Sequence, residues 1–312
     1  MGNTLTKNKI ITFVGCKIII LTAAAFIIAA GGWAAALPGA NSANDTQSVD
    51  GYTIARNIQY SYTLQNKTNR VIKLAEFWAH APVKQTATQL CQDLTANYPF
   101  QFISDPDGNQ VLHFKFENLA PYATRIITIK ARLMVSRSAN PVAVEPQASD
   151  LLPEKYVESD HPDIQRLAAK LRKSDASDTI KAVFGWVASQ VRYSGYAAKA
   201  RGALYALQHK KGDCTEYMDL FVALLRANGL PSRRVGGYIC PQNMVLKARD
   251  YHSWGEFYLD GTWQIADPQN NVVMQNPGDY IAMRIIRAAA DGPPGTGNRF
   301  RVKGKGLEAR MN

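Results

Sequence analysis

Between residues 52 and 136, hydrophobic and polar positions trade places in steps of about two. The runs Tyr52–Leu64, Val71–Trp78, Val111–Phe116 and Thr124–Val135 carry this alternation, the last most cleanly. A period of two gives a strand one apolar face. The polar clusters Asn66–Asn69 and Asp105–Asn109 supply turns between the runs. The reading is an antiparallel β-sandwich over 52–136. From Asp163 the period lengthens. Asp163–Lys173 reads as a short helix and Ala203–His209 as a helical turn. Between them, Asp175–Arg192 reads as a longer helix with Ile180, Val183, Phe184, Val187 and Val191 on one face. A further helix begins at Gly212-Asp213-Cys214 and aligns Leu220, Phe221, Leu224 and Leu225. It stops at Gly229, just before Pro231, as helix C-termini do. Period two then returns in Arg233–Cys240, Asp250–Leu259 and Thr262–Asp267, the last two joined by the hairpin pair Asp260-Gly261. Helices followed by an antiparallel sheet make this part α+β.

The flanks read differently. Residues 1–36 carry Lys7 and Lys9, an uncharged run from Ile18 to Leu37, and Ala34-x-Ala36. This is the pattern of a signal peptide cleaved before Leu37, or of an uncleaved N-terminal membrane anchor. Either makes the protein an exported one: periplasmic, secreted or membrane-anchored. Residues 37–51 read as a linker. Pro141, Pro146 and Pro153 mark a connector over 137–160, and the α+β core follows over 161–285. Residues 286–312, rich in Gly and Pro and bearing Arg299, Arg301, Lys303 and Lys305, read as a basic flexible tail.

Net charge is +11, which favours acidic over basic partners; an anionic envelope surface is one such partner for the tail. No basic–aromatic pattern or zinc-finger spacing points to nucleic acid. The four cysteines are Cys16 in the leader, Cys91, Cys214 and Cys240. An odd number outside the leader leaves at least one thiol unpaired; Cys91 and Cys240 are able to pair, but nothing in their spacing requires it. No CxxC and no Cys/His cluster has metal-ligand spacing, so no metal and no cofactor is expected.

Cys214 sits at the start of its helix, where free backbone N–H groups and the helix dipole favour negative charge. A thiol placed there is held closer to its nucleophilic thiolate form, and the same N–H groups can stabilise an oxyanion. A cysteine nucleophile needs a base within hydrogen-bond reach and a group that orients the base. After Cys214 the core offers one histidine, His252, on the first strand of the hairpin. Asp267 lies on the return strand at similar height and can hold one imidazole nitrogen while the other faces the thiol. His80 and His113, in strand runs of the first domain, are assigned no chemistry.

Gly212-Asp213-Cys214, the helix ending Leu230-Pro231, Arg233 with Gly237-Tyr238, His252-Ser253-Trp254 and Trp263 to Asp267-Pro268 together resemble the transglutaminase-like superfamily core. The likeness covers roughly residues 150–285, and the preceding domain resembles the β-sandwich of exported bacterial members. Ser253 stands where alanine is common. The resemblance implies a papain/transglutaminase-like fold with Cys214 as nucleophile, His252 as general base and acid, and Asp267 as the residue that orients His252. It further implies attack on a protein or peptide amide, loss of an amine, and a thioester. An amine acceptor then gives transamidation, and water gives deamidation. A cysteine peptidase or amidohydrolase of the same fold, and a non-catalytic envelope scaffold or binding module, are the alternatives. No calcium-loop spacing is present, so metal activation is not expected.

Overall fold

The computed structural model describes residues 51–141, 144–287 and 299–312. The leader read over 1–36 and nearly all of the linker lie outside them. Six strands open the described chain: β1 (Ile54–Asn66), β2 (Ile72–Ala81), β3 (Gln89–Ala96), β4 (Gln101–Ser104), β5 (Gln110–Leu119) and β6 (Thr124–Val135). Then come α1 (Pro162–Leu171), α2 (Ala176–Gln190), β7 (Arg192–Tyr193), α3 (Ala203–His209), β8 (Lys211–Gly212) and α4 (Cys214–Ala227). The chain ends in strands: β9 (Ser232–Ile239), β10 (Met244–Val245), β11 (Tyr251–Leu259), β12 (Thr262–Asp267), β13 (Val272–Val273), β14 (Tyr280–Ile286), β15 (Phe300–Lys303) and β16 (Leu307–Met311).

The first domain is two facing sheets. One has β1, β6 and β3 side by side, with β16 and β10 sharing the free edge of β1; the other runs β15-β2-β5-β4. Alternation along β1 and β6 sends Tyr60, Tyr62, Leu64, Ile127, Ile129 and Leu133 inward against Phe77, Leu112 and Phe114. Of the six opening strands, β3 and β4 escape the sequence pattern. A register shift between Cys91 and Asp93 breaks the period of β3, which is what a bulge does. Every residue of β4 is exposed, so its sequence carries no inward face.

The tail requires correction. Residues 286–312 were expected to be a basic flexible segment. Ile286 instead closes β14, and 299–312 hold β15 and β16, one strand for each sheet of the sandwich. Arg301 and Lys303 point outward while Leu307 and Met311 are buried. Of the charges that suggested a solvated end, Arg301 and Lys303 occupy the outer positions of an ordinary strand. Residues 288–298 lie outside the described residues.

In the second domain, five strands form an antiparallel sheet in the order β13-β12-β11-β9-β14. Helix α4 packs on it through Phe221, Val222 and Phe257, with α1, α2 and α3 around its other sides. Gly255 makes this approach close: a Cβ there would come within 2.7 Å of the Phe221 ring. The sandwich covers the outer edge, β14. Gln89 accepts from the Ala282 N–H at 2.7 Å and donates to its carbonyl at 2.9 Å. Asn109 does the same for Ile285. These two amides take the place of a sixth strand and satisfy an edge that would otherwise be open.

Candidate active site

The short parallel pair β7–β8 leads the chain into α4. Asp213 caps the helix, its Oδ1 accepting from Thr215 N at 2.9 Å. Glu216, three residues on, accepts from the Asp213 N–H at 3.0 Å and completes a capping box. Both carboxylates also reach out of the helix. Asp213 Oδ2 accepts from Ala197 N, and Glu216 accepts from the Arg201 N–H and guanidinium. The loop before α3 is thereby tied to the turn that presents Cys214. Gly212 is needed for this turn, because a Cβ there would lie 2.4 Å from Glu216 Cβ.

Cys214 occupies the first helical position and is half-buried. His252 lies near the start of β11, opposite Gly237 of β9. Pairing of Gly255 with Ala266 sets the hairpin register. One further step places Asp267 across from Trp254, and His252 is the next residue on that face. The imidazole Nε2 meets Asp267 Oδ2 at 2.7 Å. The Cys214 thiol is close enough to the same ring to act on its charge. All three residues singled out from the sequence therefore meet in one place.

The environment sets the charge of the pair. Burial disfavours the imidazolium of His252, but the Asp267 carboxylate and the neighbouring Cys214 sulfur outweigh it and lift the ring to about 9. Burial likewise opposes ionisation of Asp267; hydrogen bonds from His252, Asn270 and Tyr280 overcome it and hold the carboxyl below its usual range. Asn270 Nδ2 reaches Asp267 Oδ2 at 2.7 Å, and Tyr280 Oη reaches the same oxygen at 3.0 Å. The Trp254 ring stands edge-on to Tyr280 and nearly parallel to His252, closing the apolar side.

Sequence reasoning did not single out Asn270 or Tyr280. Asn270 had a signal: it sits three residues after Asp267 in a polar turn, and its N–H bonds Asp267 Oδ1. Tyr280 had none, since it arrives on β14, a strand not read from the sequence. Glu216 and Arg201 were also missed, although Asp213 and Glu216 show capping-box spacing. Cys91 and Cys240 are free thiols, pushed by burial to about 11 and about 12. Among the described residues no group of His, Cys, Asp and Glu could hold a metal ion.

Residues 165–268, a span that includes Cys214, His252 and Asp267, match the sequence profile of the Transglutaminase-like superfamily. The chain carries a transglutaminase-like domain. It is 28% identical over 114 residues to an uncharacterized protein of Mycobacterium leprae (strain TN), covering 35% of this chain and 40% of that one. The match thus spans well under half of that relative's length. The crystal structure of a candidate cysteine protease from Cytophaga hutchinsonii aligns over 83% of this chain and 90% of its own, at TM-score 0.56 and 19% identity. That likeness shows a shared fold, sandwich included. The periplasmic domain of TgpA from Pseudomonas aeruginosa aligns over 68% and 90%, at TM-score 0.39 and 15% identity. The transglutaminase-like domain is mixed α+β with a β-rich region before it, as the residue pattern predicted.

Proposed function

We propose that this protein is a cysteine acyltransferase or hydrolase acting on a protein or peptide amide through a thioester at Cys214. The observation that carries the reading is His252, held by Asp267 at 2.7 Å on one ring nitrogen and within electrostatic reach of the Cys214 thiol. His252 holds the proton of the Cys214–His252 pair as imidazolium, and the sulfur, as thiolate, attacks the amide carbon. The N–H groups at the head of α4 receive the oxyanion. Collapse breaks the C–N bond, and His252 returns the proton to the departing amine. An amine then gives transamidation and water gives hydrolysis, each with His252 as base.

The test is a glutamine-containing peptide offered with and without a labelled primary amine. The full-length chain is expected to incorporate the amine or release ammonia, and to show a thioester adduct on Cys214 by mass spectrometry. Cys214→Ser is expected to lose the adduct and at least ~10³-fold in rate. Turnover that persists in Cys214→Ser sinks the mechanism. A phenotype retained by a Cys214→Ser strain supports the scaffold alternative. The leader read over 1–36 supports export, and fractionation of tagged cells tests it. No helix among the described residues is long and apolar enough to cross a membrane.

A further inference from the structure

Six arginines are buried among the described residues. Five have an acid: Arg56 with Asp279, Arg226 with Glu154, Arg233 with Glu256, Arg234 with Glu154 and Asp219, and Arg287 with Asp107 and Asp150. Arg284 of β14 is only 5% exposed, yet no carboxylate or hydrogen-bond acceptor among the described residues engages its guanidinium. A buried charge left without a partner is costly and calls for a reason.

Its surroundings supply one. Arg284 pairs across the sheet with Gly236. The Tyr251 hydroxyl lies over that same glycine, 2.1 Å from where a Cβ would stand, so only glycine admits it. Tyr251 directly precedes His252 and feels the charges of both Arg284 and Cys214. His80 of the sandwich, 7% exposed, also feels Arg284; both its ring nitrogens are enclosed without a partner. The Arg284 nitrogens and Tyr251 oxygen are not among the enclosed orphans, so they keep a path to solvent. Burial and the Arg284 charge push His80 down to about 3, so the imidazole stays neutral beside the guanidinium; Asp105 and Arg234 act on Arg284 only from a distance.

We propose that Arg284 and Tyr251 form a subsite for a carboxylate of the substrate, beside Cys214 at the seam between the two domains. The guanidinium supplies the charge, and the phenol donates to a carboxylate oxygen. The carboxylate belongs either to the substrate's own C-terminus or to an acidic side chain next to the reacting amide.

This inference rests on Cys214 being the nucleophile, and alkylation separates the two. Iodoacetate and iodoacetamide are similar in size and share a leaving group; one carries a carboxylate and the other does not. The full chain is treated with each, and modification of Cys214 is followed by mass spectrometry. The ratio of iodoacetate to iodoacetamide rates is expected to fall about tenfold in Arg284→Gln, with partial recovery in Arg284→Lys. A ratio within twofold of wild type in a folded Arg284→Gln overturns the subsite. A Cys214 that reacts no faster than a simple thiol sinks the proposed function, while the ratio still reports on the carboxylate site.

A second measurement uses only the wild-type chain. N-acetylglutamine and N-acetylglutaminyl-glutamate amide are compared with N-acetylglutamine amide as protectors of Cys214 against iodoacetamide. Protection by the first assigns the carboxylate to a C-terminus, and by the second to an acidic side chain. Equal protection by the uncharged amide, or protection by none, overturns the proposal.

Discussion

Asp267 Oδ2 accepts three hydrogen bonds, from His252, Asn270 and Tyr280. Each donor withdraws charge from the oxygen that faces the imidazole, so the donors tune His252 as well as hold Asp267 in place. Tyr280→Phe removes one of them. More negative charge then faces His252, and the imidazolium is held more firmly than at about 9. The alkaline limb of a pH–rate profile for thioester formation is expected to move upward in Tyr280→Phe; a downward shift would contradict this account. Legibility at this scale was uneven. Cys214, His252 and Asp267 were readable because each sits at a recognisable place: a helix start and two strands joined by a short turn. Tyr280 was not, because nothing local to residue 280 indicates which strand it will face.

The elements show where charge misleads. The tail was read as solvated because its basic residues stand out in composition, whereas Leu307 and Met311 decide its fate by burial. Lys303 even finds Glu76 at 2.9 Å. Deleting 299–312 removes β15 and β16, uncovers one edge of each sandwich sheet, and exposes the aromatic core beside Phe300. The shortened chain is expected to be aggregation-prone with a markedly lower melting temperature; a truncated protein that melts like the full chain would return this segment to the status of a tail. Helix α4 is the opposite case. Its capping residues, its apolar face and its glycine stop agree with one another, and such agreement makes an element legible from sequence.

At the scale of the whole molecule, the His252–Asp267 pair links pH to stability. His252 stands at about 9 in the folded chain, above the ~6.5 of a free imidazole. Its contribution is fully present below the unfolded value and is lost as pH rises through about 9. Asp267, held low, contributes above the usual carboxylate range and loses that contribution as pH falls through its folded value. In urea, the gap in unfolding midpoint between wild type and His252→Gln is expected to be widest near pH 6 and to close above pH 9. A gap that grows with pH would reverse the sign and refute the assignment.

The two domains also meet at this scale. Gln89 and Asn109 close the edge of β14, and β14 carries both Tyr280 and Arg284. By itself the sequence determined the α+β class, the helix that presents Cys214, and the hairpin that sets His252 near Asp267. Those features follow from periodicity, caps and turns, whose forces act over a few residues. Only the tertiary structure decided that the C-terminal segment completes the sandwich, that Tyr280 steadies Asp267, and that Arg284 is buried without an acid. Each depends on contacts between residues far apart in the chain, and the free energy of such contacts exists only once both sides are in place.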